Sequence, residues 1–265
     1  MIEIKNLHKK FGEKTVLNGL SMNIPDGTSS CIIGKSGCGK SVLLKHIVGL
    51  LEPDQGEVII DGKNISKLNN HNLFELRKTI GFVFQGAALF DSLNVFENVV
   101  IGLYEHGIRN NKILEAEAKR TLIAVGLLPN PDEVSEKEFF NEWKILIEKK
   151  PADLSGGMRK RVGIARALAG SPKYIFYDEP TTGLDPVTSE QIDLLISDLS
   201  KNQNATSIVI THDMFSVLRI ADNIAMIDEG KLRFEGNLND FLKSDDEVIR
   251  EFLERYRKNS KFSSS

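Results

Sequence analysis

A glycine-rich segment, residues 34–41, has the residue types and spacing of a phosphate-binding loop. It matches the pattern G-x-x-x-x-G-K-[ST], follows the apolar run 31–33 and precedes the helix-compatible run 42–48. Glycines allow successive backbone N–H groups to surround a triphosphate, and the start of a helix adds partial positive charge. This order predicts that Lys40 reaches the β- and γ-phosphates of a nucleotide and that the Ser41 hydroxyl binds Mg²⁺. The alternative is a glycine-rich turn that matches by chance. The predicted nucleotide contacts of this segment are Gly34, Lys35, Ser36, Gly37, Cys38, Gly39, Lys40, Ser41 and Val42.

Two adjacent carboxylates, Asp178 and Glu179, follow the apolar run 174–177, which predicts a buried strand. Because successive strand residues point to opposite faces, we expect the two side chains to have different roles. Asp178 is placed to hold the coordination shell of Mg²⁺, and Glu179 can accept a proton from an attacking water. The pair therefore indicates hydrolysis at a phosphate group.

Two further polar residues, Gln85 and His212, follow predicted strands at 80–84 and 207–210. In an open parallel sheet, the carboxyl ends of the strands face the ligand crevice. Gln85 considered alone favours a helix cap or a surface amide, and a lone histidine is more often structural. Their position after core strands is what indicates a role in the crevice.

A second helix start follows Ser155, Gly156 and Gly157. Ser155 can cap the helix predicted over 159–169, and the paired glycines leave backbone N–H groups open to an anion. These residues therefore predict a second phosphate site. The same helix carries a basic face, which by itself predicts a solvated surface or, more weakly, a nucleic-acid patch. Its basic residues are Arg159, Lys160, Arg161 and Arg166.

The segments that must position these residues predict an α/β fold. Alternation at 2–7 and apolar runs at 16–17, 20–24 and 57–62 predict separate short strands of an antiparallel β subdomain. The near-continuous apolar runs that precede the polar residues are typical of buried parallel strands. The inward residues of a helix predicted over 187–200 are Ile192, Leu195, Ile196 and Leu199.

A mainly helical section occupies the middle of the chain. Asn94 and Glu97 have the spacing of a capping box, and so do Ser135 and Glu138. The second box begins an amphipathic helix that contains Trp143, the single tryptophan. Trp143 either packs this helix onto its own subdomain, which the usual role of apolar stripes favours, or binds a partner.

Composition limits the classes of function. The chain has 265 residues, 41% of them hydrophobic, so it can bury a large core. Its net charge of -3 gives no general attraction for nucleic acid. No apolar run of about 18 residues is present, and residues 1–5 lack the pattern of a signal peptide. We therefore expect a cytosolic location unless a partner brings the protein to a membrane, with the two cysteines reduced and Cys31 filling core space.

The order of these five motifs resembles the ATP-binding-cassette (ABC) ATPase family over about residues 2–242. The resemblance implies a P-loop ABC ATPase core with a mainly parallel sheet, an antiparallel β subdomain and a helical subdomain. The ABC ATPase domain would span 1–242, with the helical subdomain at about 87–170 and an inserted helix at about 132–150. A C-terminal helix and flexible tail would follow at 243–265.

The resemblance also implies roles for individual residues. In this family two copies pair head to tail around ATP and Mg²⁺, and Ser155, Gly156 and Gly157 of one copy cover the γ-phosphate bound by the other. Phe11 would stack on adenine, where many members use tyrosine, and Asp185 would communicate across the dimer. Glu179 would be the general base, and His212 would bind the γ-phosphate. Ser41 and Asp178 would be metal ligands. Gln85 would contact the metal and water and sense a membrane partner.

A narrower resemblance concerns the cargo. Segments 84–90, 94–99, 154–161 and 180–186 resemble ATPases of Mla/Mce-type phospholipid transporters. This implies a membrane permease, an Mce-type lipid-binding protein reached through it and a peripheral position on the cytoplasmic side of the inner membrane. The net charge of -3 indicates no nucleic-acid partner. The inserted helix around Trp143 departs from that pattern.

Other functions remain open at this point. A polar-solute ABC importer has a similar groove for its permease. A non-transport ABC ATPase usually has tandem cassettes or long coiled coils, which this chain lacks, and the signature at 155–157 argues against a small-molecule kinase.

The end of the chain predicts one more helix. Apolar residues recur at helical spacing between 245 and 258, before a frayed tail at 260–265. We expect this helix to pack, and hypothesise that its stripe supports a homodimer. The stripe consists of Val248, Phe252, Leu253 and Tyr256.

Overall fold

The protein is built from two sheets and ten α-helices in the part of the chain that its computed structural model describes. The model describes the backbone of residues 1–202 and 205–261 and the side chains of residues 1–201 and 205–254. The strands are β1 (Ile2–Phe11), β2 (Lys14–Ile24), β3 (Ser29–Ile33), β4 (Gln55–Ile60), β5 (Lys63–Asn64), β6 (Ile80–Val83), β7 (Tyr174–Asp178), β8 (Thr206–Ile210), β9 (Asn223–Asp228) and β10 (Lys231–Asn237). The α-helices are α1 (Lys40–Ile47), α2 (Asn70–Arg77), α3 (Val95–Glu105), α4 (Asn111–Ala124), α5 (Glu136–Ile147), α6 (Gly156–Leu168), α7 (Pro186–Asn202), α8 (Met214–Ile220), α9 (Leu238–Leu242) and α10 (Glu247–Lys261).

The larger sheet has six strands in the order β10-β9-β3-β8-β7-β6. All neighbours from β9 to β6 are parallel, and only β10 is antiparallel to β9. Every residue of β3 and β8 is buried, which explains their continuous apolar sequences. The predicted mainly parallel sheet is therefore confirmed. Its parallel strands place the residues that follow β3, β6, β7 and β8 at one edge.

The smaller sheet is antiparallel, with strand order β2-β1-β4-β5, as predicted. The prediction of separate strands at 16–17 and 20–24 is wrong, because β2 runs unbroken through both segments. Leu7 pairs with Leu20 and His8 with Asn18, so Gly19 is an extra residue in the ladder. Gly19 adopts a φ of 74°, which lets the strand bulge and continue.

Two apolar cores lie on opposite sides of the larger sheet. One contains Ile2, Leu20 and Leu43, and joins the smaller sheet and α1 to the larger sheet. The other fills the space between the larger sheet and helices α3 to α8. The large sheet is therefore covered on both faces, as a parallel sheet requires.

Trp143 packs α5 onto the helical section. Its side chain is 4% exposed, its ring centroid lies 6.3 Å from that of Phe96 in an edge-on arrangement, and Lys119 Nζ lies 5.0 Å from its ring. The capping box at Asn94 is complete, whereas at Ser135 the structure shows the hydroxyl accepting from Glu138 N. The packing interpretation of Trp143 is confirmed.

The C-terminal helix α10 packs on its own chain. Ile249 and Leu253 are buried in the larger core, and Val248 and Phe252 are partly buried against it. The side chain of Tyr256 and the predicted tail beyond 261 lie outside the described residues. The described part of the stripe is thus occupied within the chain.

Among the helices that the structure describes, none is long and apolar enough to cross a membrane.

Candidate nucleotide-binding site

A cavity of about 540 Å³ opens at the edge of the larger sheet where β3, β6, β7 and β8 end. It brings together residues from four of the predicted motifs, which are far apart in sequence. The residues that line it are Lys14, Val16, Ser36, Gly37, Gly39, Lys40, Ser41, Val42, Gln85, Asp178, Glu179 and His212.

The phosphate loop connects β3 with α1, in the strand, loop, helix order that the sequence predicts. A Cβ on Gly34 would lie 2.2 Å from the Ile227 carbonyl oxygen, and one on Gly39 would lie 2.8 Å from Leu17 Cδ2. Only glycine fits at Gly34, because the neighbouring atom there belongs to the backbone. The loop therefore packs closely against the neighbouring strands at the edge of the cavity. Helix α1 begins at Lys40.

The Lys40 ammonium lies inside the loop. Its Nζ donates to the carbonyl oxygens of Gly34 at 2.8 Å and Lys35 at 3.1 Å, and the residue is 7% exposed. The thiol of Cys38 lies 4.0 Å from the same nitrogen. A buried cation at the start of a helix makes the loop an anion site, which is what a phosphate group requires.

Asp178 and Glu179 both line the cavity. They do not point to opposite faces as strand alternation predicts, because β7 ends at Asp178 and Glu179 adopts a left-handed φ of 48°. Their different roles remain a prediction. Burial raises the pKa of the Asp178 carboxyl, and the adjacent Glu179 carboxylate raises it further. The Glu179 backbone N–H donates to the Ile210 carbonyl at 2.9 Å, which fixes this turn against the end of β8.

His212 contacts Glu179 directly. Its Nδ1 lies 2.9 Å and 2.8 Å from the two carboxylate oxygens of Glu179. A carboxylate accepts hydrogen bonds, so Nδ1 must carry the hydrogen, and Nε2 is then the ring nitrogen available to another group. The imidazole ring is exposed toward the cavity.

The oxygen donors of the cavity fit Mg²⁺ held together with a phosphate group. Ser41, Gln85 and Asp178 supply hydroxyl, amide and carboxylate oxygens, and Mg²⁺ is usually held by one or two carboxylates together with substrate phosphates. No cluster of three or more His, Cys, Asp or Glu suited to a metal occurs in the described part of the chain. The donor set is thus not that of an all-protein metal cage.

Three predicted site elements beyond the phosphate loop lie outside this cavity, and Gly34, Lys35 and Cys38 of the loop do not line it either. Phe11 is 49% exposed and does not line it, and the Lys9 ammonium lies 5.7 Å from the Phe11 ring. Ser155 caps α6 as predicted, since its hydroxyl accepts from Met158 N at 3.2 Å. Asp185 caps α7 by accepting from Val187 N at 3.1 Å and Thr188 N at 3.0 Å. Within one chain, neither helix start reaches the phosphate loop cavity.

Sequence reasoning missed Lys14 and Val16, which line the cavity from β2. Val16 lies in an apolar run, which indicates core packing, and an isolated lysine carries no motif. The signal that could have found them is their position just after Phe11 on a hairpin that adjoins the phosphate loop.

The prediction of a solvated basic face on α6 is wrong for Lys160, Arg161 and Arg166, whereas Arg159 is exposed. Its basic side chains donate to backbone carbonyl oxygens, and Lys160 is 5% exposed. The acceptors are Leu154 for Arg159, Gln85 for Lys160, Val125 for Arg161, and Ala87 and Ala88 for Arg166.

The sequence is similar to those of known proteins. Residues 17–182 match the ABC transporter family. The chain is 38% identical over 253 residues to the intermembrane phospholipid transport system ATP-binding protein MlaF of Haemophilus influenzae, covering 96% of this chain and 90% of that protein. It is 37% identical over 252 residues to the probable ribonucleotide transport ATP-binding protein mkl of Mycobacterium leprae, covering 95% of this chain and 68% of that protein.

Solved structures show the same fold. The dimeric ATP-binding cassette MJ0796, in a post-hydrolysis state bound to ADP and Pi, superimposes with a TM-score of 0.75 at 33% identity. The match covers 90% of this chain and 99% of that one.

Proposed function

Because this chain belongs to the ABC transporter family of ATP-binding proteins, we propose that it is the ATP-hydrolysing subunit of a membrane transporter that moves phospholipids. The observation that carries hydrolysis is the pairing of Glu179 with His212 beside the phosphate loop, in one cavity with Asp178 and Gln85. The cargo is proposed from the MlaF relative of H. influenzae, which aligns along nearly its whole length.

The phosphate loop binds the nucleotide. The backbone N–H groups of the loop and the start of α1 hold the phosphates. When the nucleotide binds, the Lys40 ammonium donates to phosphate oxygens in place of the carbonyl oxygens of Gly34 and Lys35. Ser41, Asp178 and Gln85 would hold Mg²⁺, which when bound would supply positive charge to the phosphate oxygens. Phe11, the last residue of β1, stacks on the adenine ring.

Glu179 and His212 carry out the hydrolytic step. Glu179 accepts a proton from the attacking water, while His212 Nδ1–H fixes the orientation of its carboxylate. Nε2 of His212 is then placed to contact the γ-phosphate. No covalent intermediate on the protein is needed, because positioning and charge stabilisation account for the catalysis.

A second copy of the chain completes the site. The helix start at Ser155, Gly156 and Gly157 has open backbone N–H groups but lies outside the cavity of its own chain. In a head-to-tail dimer these groups cover the γ-phosphate bound by the partner, and Asp185 communicates across the interface. MJ0796, which is dimeric, provides the analogy.

The other partners are a permease in the inner membrane, to which the chain binds from the cytoplasmic side, and an Mce-type lipid-binding protein reached through the permease. Gln85 and the segment after it contact the permease.

A second candidate function is polar-solute import. It is favoured by the M. leprae relative, whose name assigns ribonucleotide transport, although this chain spans only about two thirds of that protein's length.

The experiment is affinity purification of the tagged chain from detergent-solubilised membranes of its own organism, followed by proteomics and lipidomics. We expect a permease to copurify with enriched phospholipid. A permease that carries no phospholipid but binds a polar solute favours the second candidate. Copurification of ribosomes or DNA-repair proteins in place of a permease contradicts both transport functions.

A further inference from the structure

We propose that Lys160 and Arg166 of α6 are positioning residues for Gln85: they hold the backbone that follows β6 and thereby fix the Gln85 side chain in the nucleotide cavity. This inference rests on the proposed ATPase function. It assigns a role to Lys160 and Arg166, which the sequence predicts to lie on a solvated face of the helix.

The two side chains bind three carbonyl oxygens within four residues. Lys160 Nζ donates to the Gln85 carbonyl oxygen. The two terminal nitrogens of Arg166 donate to the carbonyl oxygens of Ala87 at 2.6 Å and Ala88 at 2.8 Å. Hydrogen bonds from charged groups are roughly twice as strong as neutral ones, so α6 holds this segment firmly.

The segment that they hold is strained. Ala87 and Ala88 adopt φ angles of 61° and 45°, the left-handed region that residues with a Cβ rarely occupy. Such a residue is destabilising and persists only where its surroundings impose the conformation. Backbone strain of this kind, with no glycine at either position, indicates that neighbouring groups determine the path of the loop.

Helix α6 supplies those surroundings. A Cβ added to Gly163 would lie 3.2 Å from Ala87 Cβ and 3.4 Å from Ala87 Cα, so the helix backbone touches the strained residue. Ala87 is buried, and its own N–H donates to the Phe84 carbonyl at 2.9 Å. Gly163 thus allows the close approach that brings Arg166 within reach of the loop carbonyls.

The charges of the catalytic carboxylates also act on the Lys160 ammonium. Burial lowers the pKa of Lys160, whereas the charges of Glu179 and Asp178 raise it. Gln85, Asp178 and Glu179 all line the same cavity. Helix α6 begins at Gly156, in the segment that the sequence predicts as a second phosphate site. The same helix therefore connects that predicted site to Gln85.

The test compares Lys160→Met with Arg161→Met as a matched control. Arg161 lies on the same helix and also donates to a backbone carbonyl, but that of Val125 in the helical section. We expect Lys160→Met to lower kcat about 10-fold with KM for ATP nearly unchanged, because a misplaced catalytic group costs rate while the phosphate loop is untouched. Lys160→Arg should restore most of the loss, and Arg161→Met should leave kcat near the wild-type value.

A double-mutant cycle separates positioning from simple structural damage. If Lys160 acts through Gln85, the double variant Lys160→Met with Gln85→Ala is no slower than Gln85→Ala alone. Arg166→Ala should give the same non-additive result. Melting temperatures of all variants show whether each one is folded, and Lys160→Arg supplies a folded comparison if Lys160→Met is not.

Additive losses in kcat, or equal losses in Lys160→Met and Arg161→Met, overturn the positioning role. Those results leave the proposed function intact as long as the wild-type chain hydrolyses ATP. Absence of hydrolysis in the wild type contradicts the proposed function itself, so the two failures are distinguishable.

Discussion

Nδ1 of His212 lies within hydrogen-bonding distance of both carboxylate oxygens of Glu179, at 2.9 Å and 2.8 Å. The contact joins the ends of neighbouring parallel strands, β7 and β8, which are paired along their whole length. It depends on the left-handed backbone at Glu179. Because of this conformation, the Glu179 side chain points into the cavity and not to the opposite face of the sheet. Glu179 and His212 are thus brought together by the neighbouring ends of β7 and β8 and by the left-handed conformation of Glu179.

Replacing His212 with alanine should lower kcat about 100-fold, because it removes both the group that orients Glu179 and a contact to the γ-phosphate. ATP binding, measured by fluorescent-nucleotide displacement, should remain. Thr182→Val is the matched control, since the Thr182 hydroxyl donates to the same carboxylate over a longer 3.3 Å contact. Equal losses in the two variants would contradict a special role for the imidazole ring.

A mixture of two inactive variants tests whether the site is shared between copies. Lys40→Ala disables the phosphate loop, and Gly156→Asp places a negative charge at the start of α6, where an added Cβ meets only Leu184 Cδ2 at 3.4 Å. In a head-to-tail dimer of one copy of each, one site carries both changes and the other carries neither.

The mixture should therefore regain up to about a quarter of wild-type ATPase activity, since about half of randomly assorted dimers contain both variants. Gly156→Ser, which adds no charge, is the control for the helix start. No recovery above the sum of the separate variants, despite demonstrated subunit exchange, would mean that the two motifs act in the same chain.

Asp193 predicts a pH-dependent stability. It is fully buried on α7, its Oδ2 accepts from Ser216 Oγ at 3.0 Å and lies 3.4 Å from Arg219, and its Oδ1 has no hydrogen-bond partner among the described residues. Burial raises the pKa of Asp193 to about 6, from 3.8. The nearby Asp213 carboxylate raises it as well, while Ser216 and Arg219 lower it.

Because the folded state binds the Asp193 proton more tightly than the unfolded state does, protonation of Asp193 stabilises the fold. This stabilisation is complete below pH 3.8 and is lost as pH rises through about 6. The free energy of unfolding of the wild type, relative to Asp193→Asn, should fall by up to about 3 kcal/mol between about pH 4 and 7. Urea unfolding at several pH values measures this difference. Asp198→Asn, at an exposed position on the same helix, is the control. A pH-independent difference for Asp193→Asn would contradict the buried, proton-binding carboxyl.

The parallel core and much of the cavity could be predicted from sequence because both depend on local patterns. The apolar runs before Gln85, Asp178 and His212 are strands, and parallel strands place their carboxyl ends at one edge. The phosphate loop needs only its own glycines and the helix that follows it. These features require no knowledge of distant partners.

The features that sequence reasoning missed depend on tertiary contacts. Nothing near Lys160 in sequence reveals that its acceptor is the carbonyl of Gln85, 75 residues earlier. The continuity of β2 depends on a bulge at Gly19 whose register is set by β1. The shared orientation of Asp178 and Glu179 depends on a left-handed residue that strand alternation does not anticipate.

The most direct measurement of the central claim is the rate of phosphate release from Mg²⁺-ATP by the purified chain and its Glu179→Gln variant. The substitution keeps the size of the side chain and its contact with His212 but removes the base. We predict ATP hydrolysis by the wild type, with retained ATP binding and a loss of about 100-fold or more in turnover for Glu179→Gln. Hydrolysis at nearly the wild-type rate in Glu179→Gln, or no hydrolysis by the wild type, would contradict the account.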